Sequence, residues 1–405
     1  MPADALKCRI CETEYPAVAS GSCPRCFGPL EPLYDWEAIA REVSRERIAA
    51  GPRSIWRYAP LLPVAPPPEA AGGPGWTPLV AAPRLAAEVG VGELFLKLDH
   101  TNPTHSFKDR VVAVAAAKAR ELGTDTLACA STGNLGNAVA SRAASLGMRS
   151  VVLYPNTVEP EKLRATAVYG GTMLAVRGSY DDCSRLVVEL AGELDWAFVN
   201  VNLRAYYAEG SKTLAFETAE QLGWSLPDAV VSPIASGSLF TKLWQGFGQL
   251  ERLGLVDGPL PRLFGGQAEG CSPVAAAYAG ERAVTPVRPA TVAQSLAIGA
   301  PADGDLAVST ARASGGAIHA VAEEDVGANM ALLARESGIF GETAAGVTLG
   351  ALRAAVAARQ LGADDRVVLL VTGTGLKTPA VVDVGEPVEI DADVDDVLEQ
   401  LGVPV

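Results

Sequence analysis

From about residue 90 onward, short apolar runs alternate with longer segments that carry apolar residues at helical spacing. Runs such as "ELFLKL", "TLACA", "SVVLYP" and "RVVLLVTG" predict buried strands. Short apolar runs with turn-forming Gly, Asn or Pro nearby are typical of such strands. Segments such as "VVAVAAAKARELG" and "GSKTLAFETAEQLG" predict amphipathic helices between them. This alternation predicts an α/β architecture with mainly parallel sheets.

The region before this alternation has a different pattern. The segment "DWEAIAREVSRERIAAG" predicts one helix, capped by Asp35 and ended at Gly51. The segment "GPRSIWRYAPLLPVAPPPEAAGGPG" that follows is rich in Pro and Gly, so we expect an irregular connection that runs over the surface.

The first 34 residues contain two C-x-x-C pairs separated by eleven residues, namely Cys8, Cys11, Cys23 and Cys26. Two such knuckles can bring four thiolates around one Zn²⁺ ion, so the spacing predicts a zinc ribbon. Four free thiols are the alternative. The other three cysteines are scattered among apolar residues and are interpreted as core packing.

Charge and hydropathy narrow the class of protein. The formal net charge is −14, which argues against a protein that binds nucleic acid along its surface. The chain shows no signal peptide at its start and no run of about 18 apolar residues. We therefore expect a cytoplasmic protein with no nucleic-acid or membrane partner.

Four loops next to predicted strands or helices carry small or polar residues: "NPTHSFKD", "STGNLGN", "PIASGSL" and "VTGTGLK". In open parallel sheets, ligands bind in such loops at the carboxyl ends of the strands. In the third loop, small residues before a helix can direct backbone N–H groups at one anion, as in a phosphate site. The alternative is an ordinary turn with a serine N-cap.

The second and fourth loops add side-chain groups. Ser131, Thr132 and Asn134 offer donors suited to a carboxylate and to a ring oxygen, while Thr372 offers a hydroxyl to a ring nitrogen. A turn that uses Asn and Gly for backbone reasons is the alternative for the second loop.

Lys108 lies at the predicted start of a helix, in "HTNPTHSFKDRVV". The positive end of the helix dipole disfavours a charged amine there, and imine formation needs a desolvated amine with a lowered pKa. The alternative is a solvated lysine whose neighbour, Asp109 or Arg110, is the structural residue.

Six segments in chain order resemble the pyridoxal-phosphate enzymes of the tryptophan-synthase β-subunit-like fold, or fold type II, and among them most closely the threonine synthases. They are "NPTHSFKDR", "CASTGNLGN", "VNVNLRAYYAEGSKTLAFE", "PIASGSL", "IFGETAAGVT" and "VTGTGLKTP", between about residues 75 and 380. The four-cysteine ribbon also occurs in some members. The resemblance implies two open, mainly parallel α/β domains with pyridoxal 5′-phosphate between them, plus the ribbon.

We therefore expect three parts of the chain. Residues 1–34 form the zinc ribbon, residues 35–95 with 205–405 form the large cofactor-binding domain, and residues 96–204 form a smaller domain with the lysine and asparagine loops. Because members of this fold are usually dimers, the resemblance also implies a homodimer.

The resemblance implies a role for each matching residue. Lys108 would hold the cofactor covalently, Phe107 would pack near its ring, Asn134 would contact its ring hydroxyl and Thr372 would face its ring nitrogen. The cofactor phosphate would be bound by the backbone amides of Ala235, Ser236, Gly237, Ser238 and Leu239. Ser131 and Thr132 would bind the substrate carboxylate, and Lys162 and Lys212 are candidates for the substrate phosphate, with a structural salt bridge as the alternative for each lysine.

Two departures from the family pattern affect the substrate site. Many threonine synthases have glycine where this chain has His105, so His105 could narrow the site, transfer a proton or point away. The phosphate loop reads A-S-G-S-L instead of the G-N-x-G-N common in the family. Backbone amides would still bind the cofactor phosphate.

The implied reaction converts an amino-acid phosphate, O-phospho-L-homoserine, and water to L-threonine and phosphate, with Lys108 as the base at Cα and Cβ. One alternative is β-replacement or β-elimination on phosphoserine, acetylserine, serine or threonine. An alternative of another class is a zinc-ribbon adaptor whose enzyme fold no longer catalyses a reaction.

Overall fold

Three β-sheets organise the protein, whose computed structural model describes residues 3, 5–68, 72–131, 133–158, 160–383, 385 and 387–402. The strands are β1 (Ala5–Cys8), β2 (Glu14–Pro16), β3 (Leu30–Leu33), β4 (Leu79–Ala81), β5 (Glu93–Lys97), β6 (Thr126–Ala130), β7 (Arg149–Pro155), β8 (Thr172–Val176), β9 (Ala197–Phe198), β10 (Ala229–Pro233), β11 (Arg262–Ala268), β12 (Ala317–Val321) and β13 (Arg366–Leu370). Their orders are β2-β1-β3, β12-β11-β10-β13-β5-β4 and β8-β7-β6-β9. In the two larger sheets every pair is parallel except β4 with β5, which confirms the predicted α/β architecture.

The described residues also form α-helices, several of which pack against the two larger sheets. They are α1 (Trp36–Glu42), α2 (Arg45–Ala49), α3 (Pro83–Val89), α4 (Lys108–Glu121), α5 (Asn134–Ser145), α6 (Pro160–Ala167), α7 (Tyr180–Glu193), α8 (Arg204–Glu209), α9 (Lys212–Gln221), α10 (Ser238–Arg252), α11 (Pro273–Ala279), α12 (Gly304–Ala313), α13 (Glu323–Ser337), α14 (Thr343–Ala357) and α15 (Val394–Gln400). Helix α14 lies against β10, β11, β12 and β13, while α5 and α7 pack on β6 and β7. No described helix has the length and apolar composition needed to cross a bilayer.

The three-stranded antiparallel sheet is confined to the cysteine-containing segment and ends at Leu33. The boundary expected between residues 95 and 96 falls within β5, where Lys97 still pairs with Leu370 of β13. All of β5 therefore belongs to the six-stranded sheet, and the division into domains stays a prediction.

Two local expectations are wrong. The single helix expected over residues 35–51 is two helices, because the side chain of Ser44 accepts a hydrogen bond from Arg47 N and begins α2 anew. The expected cap by Asp35 is confirmed, since its side chain accepts from Ala38 N. The second wrong expectation concerns the Pro- and Gly-rich segment that begins at Gly51, which we expected to run over the surface. Its residues Ile55–Leu61 form a 3₁₀ helix that buries apolar side chains, including Trp56.

A buried charge network fixes the first turn of α4. The guanidinium of Arg110 donates to both carboxylate oxygens of Asp99, at 2.8 and 2.7 Å, and to both of Glu217, at 2.6 and 2.7 Å. Lys97 donates to Glu217 at 2.9 Å and to Thr77 O at 2.6 Å. The side chains of Arg110, Asp99, Glu217 and Lys97 are all fully buried, so the two cations and two carboxylates balance each other away from water.

Arg110→Met should therefore lower the free energy of unfolding by about 3–5 kcal/mol, because it leaves Asp99 and Glu217 buried with one cation fewer. Equilibrium urea unfolding followed by circular dichroism measures the loss. As a control, Arg185→Met removes the exposed pair with Glu189 and should cost less than about 0.5 kcal/mol. Equal losses in the two variants would contradict this role for the network.

Candidate active site

The four polar loops found in the sequence surround one cavity of about 470 Å³. It lies at the carboxyl ends of β6, β10 and β13, where open parallel sheets bind their ligands. The residues predicted for the site that line it are Phe107, Lys108, Ser131, Asn134, Ala235, Ser236, Gly237, Ser238, Leu239 and Thr372. Loops far apart in sequence thus share one pocket of a size suited to a cofactor and a small substrate.

Lys108 is the first residue of α4, and its side chain opens on this cavity. Its Nζ donates to Tyr207 Oη at 3.2 Å and lies 4.4 Å from the centre of the Phe107 ring. Loss of hydration lowers the pKa of the Lys108 amine to about 8, although the nearby carboxylate of Glu342 acts in the opposite direction. Near physiological pH this amine is therefore still mostly protonated, but its neutral fraction is far larger than that of a solvated lysine.

Backbone pairing holds Lys108 next to Thr372. Phe107 N donates to Thr372 O at 2.9 Å, and Ser106 forms an antiparallel bridge with Gly373. The lysine loop is in this way joined to the segment that follows β13, a strand in the middle of the six-stranded sheet, and this segment contains Thr372. Thr372 is buried, and it lines the cavity.

The third loop has the geometry of an anion site. Gly237 has φ +93°, and α10 begins at the next residue without a side-chain cap, so its first N–H groups stay available. A Cβ at Gly237 would lie 2.6 Å from Asp303 O, which requires glycine here. Asp303 N in turn donates to Ser236 O at 2.9 Å and supports the loop.

Asn134 lies between two ionisable side chains. Its Nδ2 donates to both carboxylate oxygens of Glu342 at 3.0 Å, and Lys377 Nζ donates to its Oδ1 at 2.8 Å. Burial lowers the pKa of Lys377, while the charge of Glu342 raises it. A Cβ at Gly373 would lie 2.1 Å from Glu342 Oε1, so the "TGTG" glycine makes room for this carboxylate.

The two residues predicted to bind a carboxylate differ in what the structure describes. Ser131 Oγ accepts hydrogen bonds from Gly133 N at 3.0 Å and from Gly136 N at 2.7 Å, and so caps the start of α5. The hydroxyl proton of Ser131 is still available to donate a hydrogen bond to a ligand. Thr132 lies outside the described residues.

The two candidate phosphate lysines are not among the cavity-lining residues. Lys162 is buried beside the asparagine loop, since a Cβ at Gly133 would lie 2.8 Å from its Cδ. Lys212 is fully buried in an ion pair with Glu209, and it donates to Tyr34 Oη and Leu61 O at 3.3 Å each. The structure therefore favours the structural alternative for Lys212.

His105 is exposed and lies outside the cavity-lining set. Its φ of +60° is left-handed, a region that glycine adopts without strain. A glycine at this position, which the resemblance implies for many members, would fit this backbone without strain. Its exposure favours the alternative that the His105 side chain points away from the substrate site.

The structure adds residues that sequence reasoning missed. Glu342 and Lys377 flank Asn134, and Tyr207 contacts Lys108. Arg204 also lines the cavity, and its Nη2 lies 2.6 Å from Asp303 Oδ1. All four stand in segments quoted for the family resemblance, but their roles depend on contacts between distant parts of the chain.

The four N-terminal cysteines come together as their spacing predicts. Their sulfur atoms lie within 4.8 Å of one another, with Cys8 3.5 Å from Cys26 and Cys11 3.6 Å from Cys23. The two knuckles have the same shape: a left-handed residue, Glu12 or Phe27, follows four positions after the first cysteine and donates its N–H to that cysteine's carbonyl. This set of donors suits a structural Zn²⁺ ion.

Comparisons with known proteins agree with this geometry. Residues 70–373 match the family model described as "Pyridoxal-phosphate dependent enzyme". The threonine synthase of Methanosarcina acetivorans is 38% identical over 402 residues, which cover 98% of each chain. That of Methanocaldococcus jannaschii is 36% identical, over 91% of this chain and 92% of the relative.

Solved structures support the fold. The processed form of threonine deaminase isoform 2 from Solanum lycopersicum matches 75% of this chain and 82% of its own, with a TM-score of 0.63 and 19% identity. Maize serine racemase matches 76% of this chain and 90% of its own, with a TM-score of 0.62 and 19% identity. The resemblance noted in the sequence is thereby confirmed, and the chain belongs to the threonine synthase family of pyridoxal-phosphate-dependent enzymes.

Proposed function

We propose that this protein converts O-phospho-L-homoserine and water to L-threonine and phosphate. The observation that carries the proposal is the desolvated amine of Lys108 in a cavity that also contains the anion loop before α10. Family membership supports this reaction over others that the same lysine and loop could serve, since the relatives named above are threonine synthases.

The residues present fit pyridoxal phosphate. The uncapped N-terminus of α10 with Gly237 would hold its phosphate, Lys108 would bind its aldehyde carbon, and Phe107 would pack near its ring. Asn134 would contact the ring hydroxyl. When bound, the cofactor supplies an electron sink for carbanions at Cα and Cβ of the substrate.

Thr372, buried in the cavity wall, would offer the ring nitrogen of the bound cofactor a neutral hydroxyl as its partner. A carboxylate in this place would favour a protonated ring nitrogen, whereas a hydroxyl does not. The electron sink would thereby be restrained, which suits a reaction whose leaving group departs from Cγ.

Lys108 also moves protons. An amine with a pKa of about 8 can take a proton from Cα and later return it near neutral pH, and we propose the same role at Cβ. Tyr207 Oη, which accepts from Lys108 Nζ at 3.2 Å, orients this amine within the cavity.

The substrate's two anionic groups would bind different sides of the cavity. Ser131 with the start of α5 would bind the carboxylate, and Lys162 beside Gly133 adds positive charge near that loop. Arg204 is a cation in the cavity wall and would bind the phosphate by exchanging its contact with Asp303. Lys212, already paired with Glu209, has no part in this proposal.

We further propose that the cysteine ribbon holds one structural Zn²⁺ ion, supported by the four sulfur atoms within 4.8 Å of one another. The homodimer and the cytoplasmic location stay predictions.

The rate of imine formation should report the pKa of Lys108. Because only the neutral amine reacts, the rate at which apoprotein gains a visible pyridoxal-phosphate band should rise about tenfold per pH unit and level off above about pH 8. Stopped-flow absorption measures this rate. A solvated lysine would instead show a rate that still rises toward its ordinary pKa of 10.5.

Variants assign this band to its lysine. Lys108→Ala should lose the band and the label that borohydride fixes on the protein. Lys118→Met, on the same helix, should keep both, because Lys118 pairs with Glu121 and is not among the cavity-lining residues. A retained label in Lys108→Ala would contradict the assignment.

Phosphate release distinguishes the proposed substrate from its rivals. Holoenzyme should release phosphate from O-phospho-L-homoserine with kcat/KM at least about 100-fold above that for O-phospho-L-serine, because the shorter substrate cannot reach both anion sites at once. Coupled phosphate detection and amino-acid analysis for threonine measure both reactions. No turnover of O-phospho-L-homoserine by protein with bound cofactor would refute the proposal.

Metal analysis tests the ribbon. Purified wild-type protein should contain about one zinc ion per chain, and Cys8→Ser should lose it because three thiolates leave the site incomplete. Cys183→Ser, at a buried cysteine of α7 outside the cluster, is the control and should keep its zinc. Equal metal content in the two variants would show that the four thiols do not bind the ion.

A further inference from the structure

The cysteine ribbon is docked on two helices that border the cavity. Tyr206 of α8 donates from Oη to Val18 O at 3.1 Å, and Lys242 of α10 lies 3.1 Å from Glu31 Oε1. Lys242 is also bound at 2.6 Å to Glu209 of α8. Because Tyr206 and Lys242 are both buried, these contacts fix the ribbon against the body of the protein.

Apolar packing continues from the ribbon into the lysine-bearing region. Leu6, Cys8, Cys23 and Leu30 belong to the same buried cluster as Val111 and Val112 of α4 and Tyr206 and Tyr207 of α8. The ribbon therefore shares a core with the helix that carries Lys108.

One turn of the ribbon reaches the cavity itself. Gly21 and Ser22 line the same cavity as Lys108. Gly21 packs on the backbone before α8, since a Cβ there would lie 3.4 Å from Val201 O. Gly21 also lines a small neighbouring hollow together with Arg204 and Asp303. The turn thus lies beside the cation that we assign to the substrate phosphate.

The position of this turn is tied to the thiol cluster. Ser22 immediately precedes Cys23, which is fully buried with its Sγ 3.6 Å from that of Cys11 and 3.0 Å from Tyr15 Oη. Any force that holds Cys23 in the cluster also holds Ser22 at the cavity, because one peptide unit separates them.

We propose that the turn Gly21–Ser22 forms part of the active-site wall that contacts the substrate, an inference that rests on the proposed function. Metal binding by the four cysteines holds this wall in place. The residues assigned to the cofactor belong to other segments, namely Phe107, Lys108, Asn134, the 235–239 loop and Thr372. Ser22 is accordingly a positioning residue for the substrate, and the ribbon affects substrate affinity without contributing to cofactor binding.

A charge placed on the turn tests the wall. In full-length holoenzyme, Ser22→Asp should raise the KM for O-phospho-L-homoserine about tenfold by repelling its phosphate, while kcat stays within about twofold. Ala19→Asp is the matched control: Ala19 is an exposed residue of the same loop outside the cavity-lining set, and its KM should be unchanged. Zinc content and the pyridoxal-phosphate band should be the same in both variants and in wild type.

Binding without turnover gives an independent measurement. Calorimetric titration of each holoenzyme with inorganic phosphate should show the same tenfold weaker binding in Ser22→Asp alone. An unchanged KM and an unchanged phosphate affinity in Ser22→Asp would overturn the proposal. If wild type binds phosphate but does not turn over O-phospho-L-homoserine, the proposed function fails, and the phosphate titration still decides whether the turn is part of the wall.

Metal removal tests the second half of the proposal. Wild-type holoenzyme stripped of zinc with a chelator should keep its cofactor band and show a KM raised about tenfold, which returns to its original value when zinc is restored. A stripped enzyme with an unchanged KM would show that the metal does not hold the wall. Loss of the cofactor band on stripping would equally overturn the claim that the ribbon acts on the substrate alone.

Discussion

The site depends on the buried contact of one arginine with two carboxylates. Arg110 binds Asp99, which follows β5, and Glu217 of α9, and it stands two residues after Lys108 in the first turn of α4. Burial alone would raise the pKa of Glu217, but the charges of Arg110 and Lys97 lower it to about 2, so the carboxylate stays ionised. A bidentate contact of this kind fixes direction as well as distance, and therefore fixes where α4 begins.

This arrangement separates structural lysines from the reactive one. Lys97, Lys212 and Lys242 are buried, and each lies within 3.0 Å of a carboxylate oxygen. Among the described residues, Lys108 instead donates to a tyrosine hydroxyl and forms no ion pair. Desolvation lowers its pKa to about 8, and it lowers the pKa of the paired Lys212 to about 8 as well. Lys108 is therefore set apart because its amine opens on the cavity, whereas the amine of Lys212 is held in an ion pair. The neighbouring charge pairs hold the backbone, so the reactive amine does not need one of its own.

Local sequence chemistry nominated much of the site, and the family resemblance then chose among the alternatives that it left open. Lys108, the Gly237 loop and the cysteine knuckles depend on residues close together in the chain, and each leaves a recognisable pattern of spacing or glycine use. In the structure, Lys108 and the Gly237 loop line one cavity, and the four cysteine sulfur atoms lie together.

Contacts between distant segments explain what the sequence did not reveal. Lys212 was a candidate for substrate phosphate because it is a lysine in a family-like motif, yet its ion pair is completed by contacts with Tyr34 and the carbonyl of Leu61. His105 was a candidate because of its chemistry, but its left-handed backbone and exposed side chain are visible only in three dimensions. Glu342 and Arg204 acquire roles only when their partners Asn134 and Asp303 arrive from other parts of the chain.

The proposed reaction at Lys108 cleaves a carbon–oxygen bond of the substrate and then adds water at Cβ. Turnover of O-phospho-L-homoserine in water labelled with ¹⁸O, with mass spectrometry of both products, tests this order of bond changes most directly. The account predicts one ¹⁸O atom in the threonine hydroxyl and none in the phosphate, since the phosphate leaves with the substrate's own oxygen. Label in the phosphate, with unlabelled homoserine as the other product, would show cleavage of the phosphorus–oxygen bond and contradict the account.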